Sequence, residues 1–388
     1  MRKATLLLLC GALALWACRK EDPVIPSRDA GLTGETLDVA GFPSSEGKVF
    51  VLNEGGMGSN NATLDFLRLS DGAYVTGAFR KMNPDAGAGL GDVGNDIAVN
   101  GDRVWIVVNN SGIVEVLSAE DETEVAAIAV PTPRRIAFDG EYAYVTSWAG
   151  AYATGGYGPD GSYSVTDYDN PKGRVFRISL RTLEVDGSVE VGYQPEGIAC
   201  HDGKLYVANS GGISSQLPPA YSYDNTVSII DTRTFQVSGT VAVQVNLKDV
   251  YSDGEGHIYV TTLGNFWDVH SGLYMLDVSH PESPRHIGDY VSVSALRGNT
   301  VYCIGTDTEF DWSAVHSYTA WSCKGGTVTP VPLSVSGTPY GLAVLDEDIF
   351  LVGDAGDYFN PGTVSCYSKG ERRWSVTAGV CPGHFAVY

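Results

Sequence analysis

Along this chain one two-strand phrase recurs seven times: a short apolar strand, a tight turn, then a strand rich in Val, Tyr and Ile. Its clearest copy runs Pro195-Glu196-Gly197-Ile198-Ala199-Cys200, turns at His201-Asp202-Gly203-Lys204, and continues as Leu205-Tyr206-Val207-Ala208-Asn209. Sister copies pair Ile97–Val99 with Val104–Val108, Ile136–Phe138 with Tyr142–Thr146, and Val250–Ser252 with Ile258–Thr262. Two more pair Ala295–Arg297 with Val301–Ile304 and Leu342–Val344 with Ile349–Val352. A period of about 40–50 residues with several strands per unit is the signature of a β-propeller, one unit per blade. The seventh copy is divided between the ends. Val49–Leu52 has no first strand before it, and Pro382–Val387 has no second strand after it. The expectation is an all-β, seven-bladed propeller over residues 47–388, closed by pairing the C-terminal strand with the N-terminal one, which leaves no inner strand with an open edge.

Ahead of the repeats lies an address. Arg2 and Lys3 open a positively charged start, Leu6–Trp16 is an apolar core, and small residues lead to Cys18. Leu15-Trp16-Ala17-Cys18 resembles the bacterial lipoprotein box, so residues 1–17 read as a signal peptide and Cys18 as the acylated first residue. The alternative is an ordinary secretory signal cut near Ala17. Acyl chains add roughly 0.8 kcal/mol per buried methylene, enough for a stable anchor when several are attached. Arg19-Lys20-Glu21-Asp22 resembles the export signal of Bacteroidetes surface lipoproteins, which implies the outer membrane facing outward. Residues 18–46, with their Pro, Ser, Gly and Asp, read as the lipidated Cys and a flexible tether. No other apolar run is long enough to span a bilayer, so the membrane is met through the lipid alone. The net charge is −21, and losing Arg2 and Lys3 makes it more negative. Such a surface repels a phosphate backbone, which argues against nucleic acid as a partner.

Function is expected on one face. Long insertions follow the second strand of each unit: Glu54–Ala62, Ala149–Gly173, Gly211–Asp224, Gly264–Ser271, Gly305–Ala320 and Gly353–Pro361. The turns joining first to second strand stay short. Insertions gathered on one face of a repeat protein mark the binding face. They are rich in rings, with Trp148, Tyr221, Tyr223, Phe266, Trp267, Phe310, Trp312, Tyr358 and Phe359 the candidates for contact, although such rings also serve to pack long loops onto blade tops. First-strand starts and second-strand ends should crowd the central mouth on that same face. They supply Asn95, Asp96, Arg134, Arg135, Glu196, Lys248, Tyr340 and His384 from one set, and Asn53 and Asn209 from the other. Tyr193 and Gln194, just ahead of the clearest copy, join the candidates. The competing reading for the polar members is that they satisfy loop backbone groups and hold channel water.

Catalytic signatures are missing: there is no Gly-x-Ser-x-Gly elbow, His-Glu-x-x-His, P-loop or dinucleotide fingerprint. No enzyme activity, cofactor or metal is expected. Glu54, Asp96, Glu196 and Asp354 could in principle hold a divalent ion, as in lactonase-like propellers, but their spacing does not argue for it. Cys200, Cys303, Cys323, Cys366 and Cys381 match no metal spacing; buried thiols are expected, with Cys303–Cys323 the pairing that neighbouring strands would permit.

Leu205-Tyr206-Val207-Ala208-Asn209 followed by Asn225-Thr226-Val227-Ser228-Ile229-Ile230-Asp231-Thr232 resembles the YVTN repeat of surface-layer and periplasmic propellers. The opening Val49-Phe50-Val51-Leu52-Asn53-Glu54-Gly55-Gly56 with Ser59–Leu64, and Gly91-Asp92-Val93-Gly94-Asn95-Asp96-Ile97, look like two blades of a family of Bacteroidetes lipoprotein propellers. That family includes surface proteins that capture vitamin B12 and pass it to the outer-membrane cobalamin transporter. The resemblance implies a surface lipoprotein that captures a nutrient, a corrinoid foremost, and hands it to a TonB-dependent transporter. A glycan- or protein-binding propeller and a metal-dependent hydrolase are the alternatives. The shared motifs are blade framework, so the resemblance carries over no ligand contact.

Overall fold

Every second strand of the repeat is buried on both sides, and that dictates how the sheets stack. Lys48–Asn53, Arg103–Val108, Lys204–Asn209, His257–Thr262 and Thr300–Gly305 each read as one partly covered residue and then five buried ones, apart from an exposed Lys204. A strand covered on both faces must lie between two other sheets. In Lys48–Asn53 the alternation is explicit. Val49 and Val51 pack with Ala343, Leu351 and Val376 on one side, whereas Phe50 and Leu52 pack with Ile97, Val104 and Ile106 on the other. Side chains two apart share a face, so one strand welds two neighbouring sheets. The outermost strands, such as Gln236–Ala242, are mostly exposed.

In the computed structural model, which describes residues 34–87, 89–157, 163–211, 223–311 and 313–388 (side chains outside 152–168), seven antiparallel sheets form a ring. We number the blades from their inner strands: Gly94–Asn100 (blade 1), Pro133–Asp139 (2), Pro195–His201 (3), Leu247–Ser252 (4), Val293–Arg297 (5), Pro339–Asp346 (6) and Pro382–Val387 (7). Blades 1–6 are each four strands in sequence order. Blade 7 is the composite expected from the split repeat. Pro382–Val387 pairs antiparallel with Lys48–Asn53, Val49 opposite Val387 and Leu52 opposite His384. The only described helix is the short turn Ala78–Met82.

Around the axis the inner strands approach closely. A Cβ on Gly197 would stand 2.5 Å from the Lys248 carbonyl oxygen, and one on Gly341 would stand 2.5 Å from that of Gly383. Both distances are below any real contact, so glycine is required where blades 3 and 4, and blades 6 and 7, meet.

One expectation changes. Part of the presumed tether belongs to the fold: Glu35–Thr36 adds a fifth strand to blade 7, Leu37 enters its core, and Trp374 Nε1 donates to the Asp38 carbonyl at 2.8 Å. The propeller unit therefore extends to at least residue 34, because an apolar Leu37 beside an open edge strand gains more by packing than by hydration. All five propeller cysteines are free. Cys303 lies opposite Trp321 in the ladder and Cys323 opposite Val301, so the two thiols are offset along the strands. The signal peptide and Cys18 lie outside the described residues.

Deleting residues 382–388 would expose the whole edge of Lys48–Asn53. The expected outcome is loss of a cooperative melt, or a fall in Tm of more than about 10 °C, by differential scanning calorimetry; a wild-type melt would show that closure is dispensable.

Candidate functional site

The mouth of the ring is built by a repeated defect. Where each inner strand meets its second strand, the register shifts: between Gly94 and Asp96, Pro195 and Ile198, Leu247 and Val250, and Pro339 and Gly341, with matching shifts on the second strands of blades 2 and 7. A bulge leaves an unpaired residue and re-aims its side chain. It does so here for Asn95, Arg134, Glu196, Lys248 and Tyr340, which together with His384 of the closing strand line one cavity of about 790 Å³. The inner strand of blade 5 keeps a regular register and, with the residues leading into it, contributes Val291–Val293.

The remaining wall comes from the long loops, on the expected face. Trp148, Ser210, Leu263, Phe266, Thr306, Glu309, Phe310, His316, Tyr318 and Tyr358 all contribute. The wall has two characters. Rings from blades 4–6 make an aromatic arc, while blades 1–3 present Asn95, Arg134 and Glu196 with Trp148 behind them. Arg134 Nε donates to both Glu196 oxygens at 3.1 and 3.0 Å, and its guanidinium lies 4.3 Å from the Trp148 ring centroid. Across the mouth Phe310 stacks on His270, with centroids 4.5 Å apart and planes 9° from parallel, and Tyr340 meets Tyr358 edge-on. The Tyr340 hydroxyl donates to the Glu54 carboxylate. Phe266 and Tyr358 both hold left-handed backbone, φ 64° and 68°, a strain that bulky residues adopt only where the surroundings impose it.

Beneath the mouth lies a polar layer around Arg135. Its Nη2 reaches Asp249 at 3.2 Å, Nη1 lies 3.7 Å from Asp96, and Nη1 donates to His384 Nδ1 at 2.9 Å. Burial pushes Asp96 up to about 6, with Arg135 opposing, and pulls His384 well below its ordinary value, helped by Arg135, Lys248 and Arg134. For Arg135 burial acts to lower basicity, but Asp249, Asp96 and Glu196 outweigh it and leave the group more strongly basic. A neutral imidazole accepting from a guanidinium is consistent with all three. This layer separates the mouth from a second cavity of about 450 Å³ along the channel, which shares Arg135, Lys248, Tyr340 and His384.

Several candidates are elsewhere. Asn53 and Asn209 are fully buried inside their own blades, donating to Asp65 and Thr63 and to Thr226 and Ser228 respectively. They end at the mouth by strand position, but their side chains turn toward the third strand, where polar partners wait. Gln194 is also fully buried, its Nε2 donating to Asn170. Tyr193 and Tyr223 do not line the cavity, and Tyr193 sits on the rim of blade 2 with its backbone N–H on Asp224. Trp267 and Phe359 do not line the cavity and are 78% and 85% exposed. Tyr221 and Trp312 lie outside the described residues. Among the described residues no three His, Cys, Asp or Glu converge to hold a metal. Asp354, for one, is engaged with the backbone N–H groups of Thr338 and Gly356.

Glu309 escaped the sequence reading. It accepts from the Ser271 N–H at 3.0 Å and hydroxyl at 2.6 Å, and lies 2.6 Å from His270 Nδ1, tying the loops of blades 4 and 5 together. The partners are 38 residues apart, so nothing local announces them.

No protein-family model and no curated protein matches the chain. Among solved structures, a chain of Kuenenia stuttgartiensis hydrazine synthase is similar, with a TM-score of 0.55 and 15% identity, covering 76% of this chain and 89% of that one. At that identity the likeness is one of fold. It supports the propeller and says nothing about chemistry.

His384 provides a check on the buried layer. Its imidazole should remain neutral by nitrogen-detected NMR at pH 5.5, below its ordinary value of 6.5. The unfolded ring takes up a proton below 6.5 and the folded ring does not, so stability held by neutral His384 is full above that pH and declines beneath it. A ring that titrates normally would mean that Arg135 is not its donor.

Proposed function

We propose that the protein is a surface lipoprotein that captures a large, partly planar nutrient in the mouth of the propeller, a corrinoid being the ligand that suits the site best. The observation that carries this reading is the two-sided wall. A corrinoid macrocycle has a broad apolar ring edged with amides, and it needs aromatic surface together with a few fixed polar groups. Phe266, Phe310, Tyr318 and Tyr358 supply the first; Asn95, Arg134 and Glu196 supply the second. Such a ligand exceeds a cavity of about 790 Å³ and would stand partly proud of it, where the exposed rings of Trp267 and Phe359 offer further cover.

The mouth also lacks a feature that catalysis would call for. Its carboxylates are occupied, Glu196 by Arg134 and Glu54 by Tyr340. His316 Nδ1 pairs with Thr308, and His270 with Glu309. In the proposed setting the lipidated Cys18 holds the propeller at the outer membrane and a TonB-dependent transporter receives the ligand. No described helix is long and apolar enough to cross a membrane. The protruding Trp267 and Phe359 favour one second reading, glycan capture by ring stacking on exposed aromatics.

Calorimetric titration of the soluble propeller with cyanocobalamin should give a dissociation constant of micromolar or tighter, and Phe310→Ala with Tyr358→Ala should weaken it about tenfold or more. Absence of binding at micromolar ligand, with strong signals on a glycan array, would replace the corrinoid by a sugar.

A further inference from the structure

Arg134 and Glu196 occupy the same position in neighbouring blades, each the residue after the proline that opens an inner strand. They form a pair with side chains only 16% and 12% exposed. Glu196 takes the Nε edge of the guanidinium, and Trp148 covers one of its faces. Trp148 Nε1 is buried without a partner, so stacking and not hydrogen bonding sets the ring's place. What remains is specific. The two terminal nitrogens of Arg134 have no protein partner among the described residues, and the Glu196 carboxylate accepts from Arg134 alone. Both residues line the mouth. Four N–H donors and several lone pairs therefore stand side by side on a pair that carries no net charge.

A group entering this corner meets two demands at once. A carboxylate would satisfy Arg134 but face Glu196 at close range, and an ammonium would meet the reverse. An ether or a plain ring would strand both, and stranding buried polar groups is what makes a site reject an analogue. A primary carboxamide satisfies both: its carbonyl oxygen accepts from an Arg134 terminal nitrogen while its NH₂ donates to Glu196. We infer that Arg134 and Glu196, held by Trp148, form a carboxamide-reading pair that determines specificity in the mouth, selecting a neutral amide edge of the ligand over the corresponding acid. The inference rests on the corrinoid reading above, since a corrinoid is edged with primary carboxamides; a vicinal diol would be the matching group on a sugar.

The test uses cyanocobalamin and its separated monocarboxylic acids, in which one propionamide is hydrolysed, titrated calorimetrically at neutral pH. Wild-type protein should bind the parent at least about tenfold more tightly than at least one of the acid isomers. Glu196→Gln removes the repulsion but keeps the shape, and should shrink that ratio to about threefold or less while circular dichroism stays unchanged. Arg134→Lys keeps the charge but loses the fork and the stacking, and should weaken parent binding about tenfold. If wild type binds the parent and every acid alike, or if Glu196→Gln leaves the ratio intact, the pair does not read amides and the inference falls while corrinoid capture stands. If wild type binds none of them, the capture reading fails and takes the inference with it.

Discussion

A sheet folded into a blade has an inner edge that must be neighbour to other inner edges and never to water in bulk; closing the ring is what secures this. The weld is the ladder between Lys48–Asn53 and Pro382–Val387. Because Lys48–Asn53 also packs sideways on both adjacent blades, through Val49 and Val51 to blade 6 and through Phe50 and Leu52 to blade 1, that ladder fixes two sheet-to-sheet interfaces as well as one edge. The cost is a contact spanning nearly the whole chain, which is slow to find but holds every blade in place once made. The mouth inherits its rigidity from this. His384 belongs to the closing strand, and it is the acceptor for Arg135 from blade 2, two blades along the ring.

The blades were legible in the sequence because each is a local unit. Apolar alternation, a short turn and a second buried strand lie within about twenty residues, and seven repetitions average out the noise of any one. The elaborated face was legible for the same reason: strand direction alone places every loop after a second strand on one side. Parity was less so. A residue's position along the strand says that it ends at the mouth, but a bulge between the first two strands changes which way its side chain points. Arg134 and Glu196 emerge into the cavity, whereas Asn53 and Asn209, equally polar and equally placed at strand ends, turn into their own blades to meet Asp65 and Ser228. Loop tips were hardest. Phe266, whose backbone is left-handed, lines the cavity and its neighbour Trp267 does not.

Polar groups at the mouth sort into two classes by what surrounds them. In the Arg135 layer one cation sits among Asp96, Asp249 and a neutral His384, and its charge is answered from within although its Nε is buried without a partner. Removing one partner from such a buried set typically costs about 3–5 kcal/mol, so it reads as framework that keeps seven inner strands in register. One residue earlier in the same strand, Arg134 spends only its Nε on Glu196 and leaves its outer nitrogens to the cavity. Adjacent arginines thus differ in role within one irregular stretch of strand, both reaching the cavity but with Arg135 bound to the carboxylates beneath it.

That division bears on how the candidate site, on the axis and not at the rim, is held. A ligand resting on loops alone would have to order them, at roughly 0.5–1.5 kcal/mol for each immobilised side chain. Here the floor is already fixed by strands that cannot move without breaking the ring, and the loops are tied to each other before any ligand arrives. Glu309 joins the loops of blades 4 and 5 through Ser271 and His270, and Tyr340 reaches across from blade 6 to Glu54 in blade 7. Phe310 is held flat against His270 and Trp148 against Arg134, so one ring of each opposing wall is positioned by neighbours within the protein. Pre-positioned aromatic faces lose little freedom on binding, so less of the interaction energy is spent on ordering them.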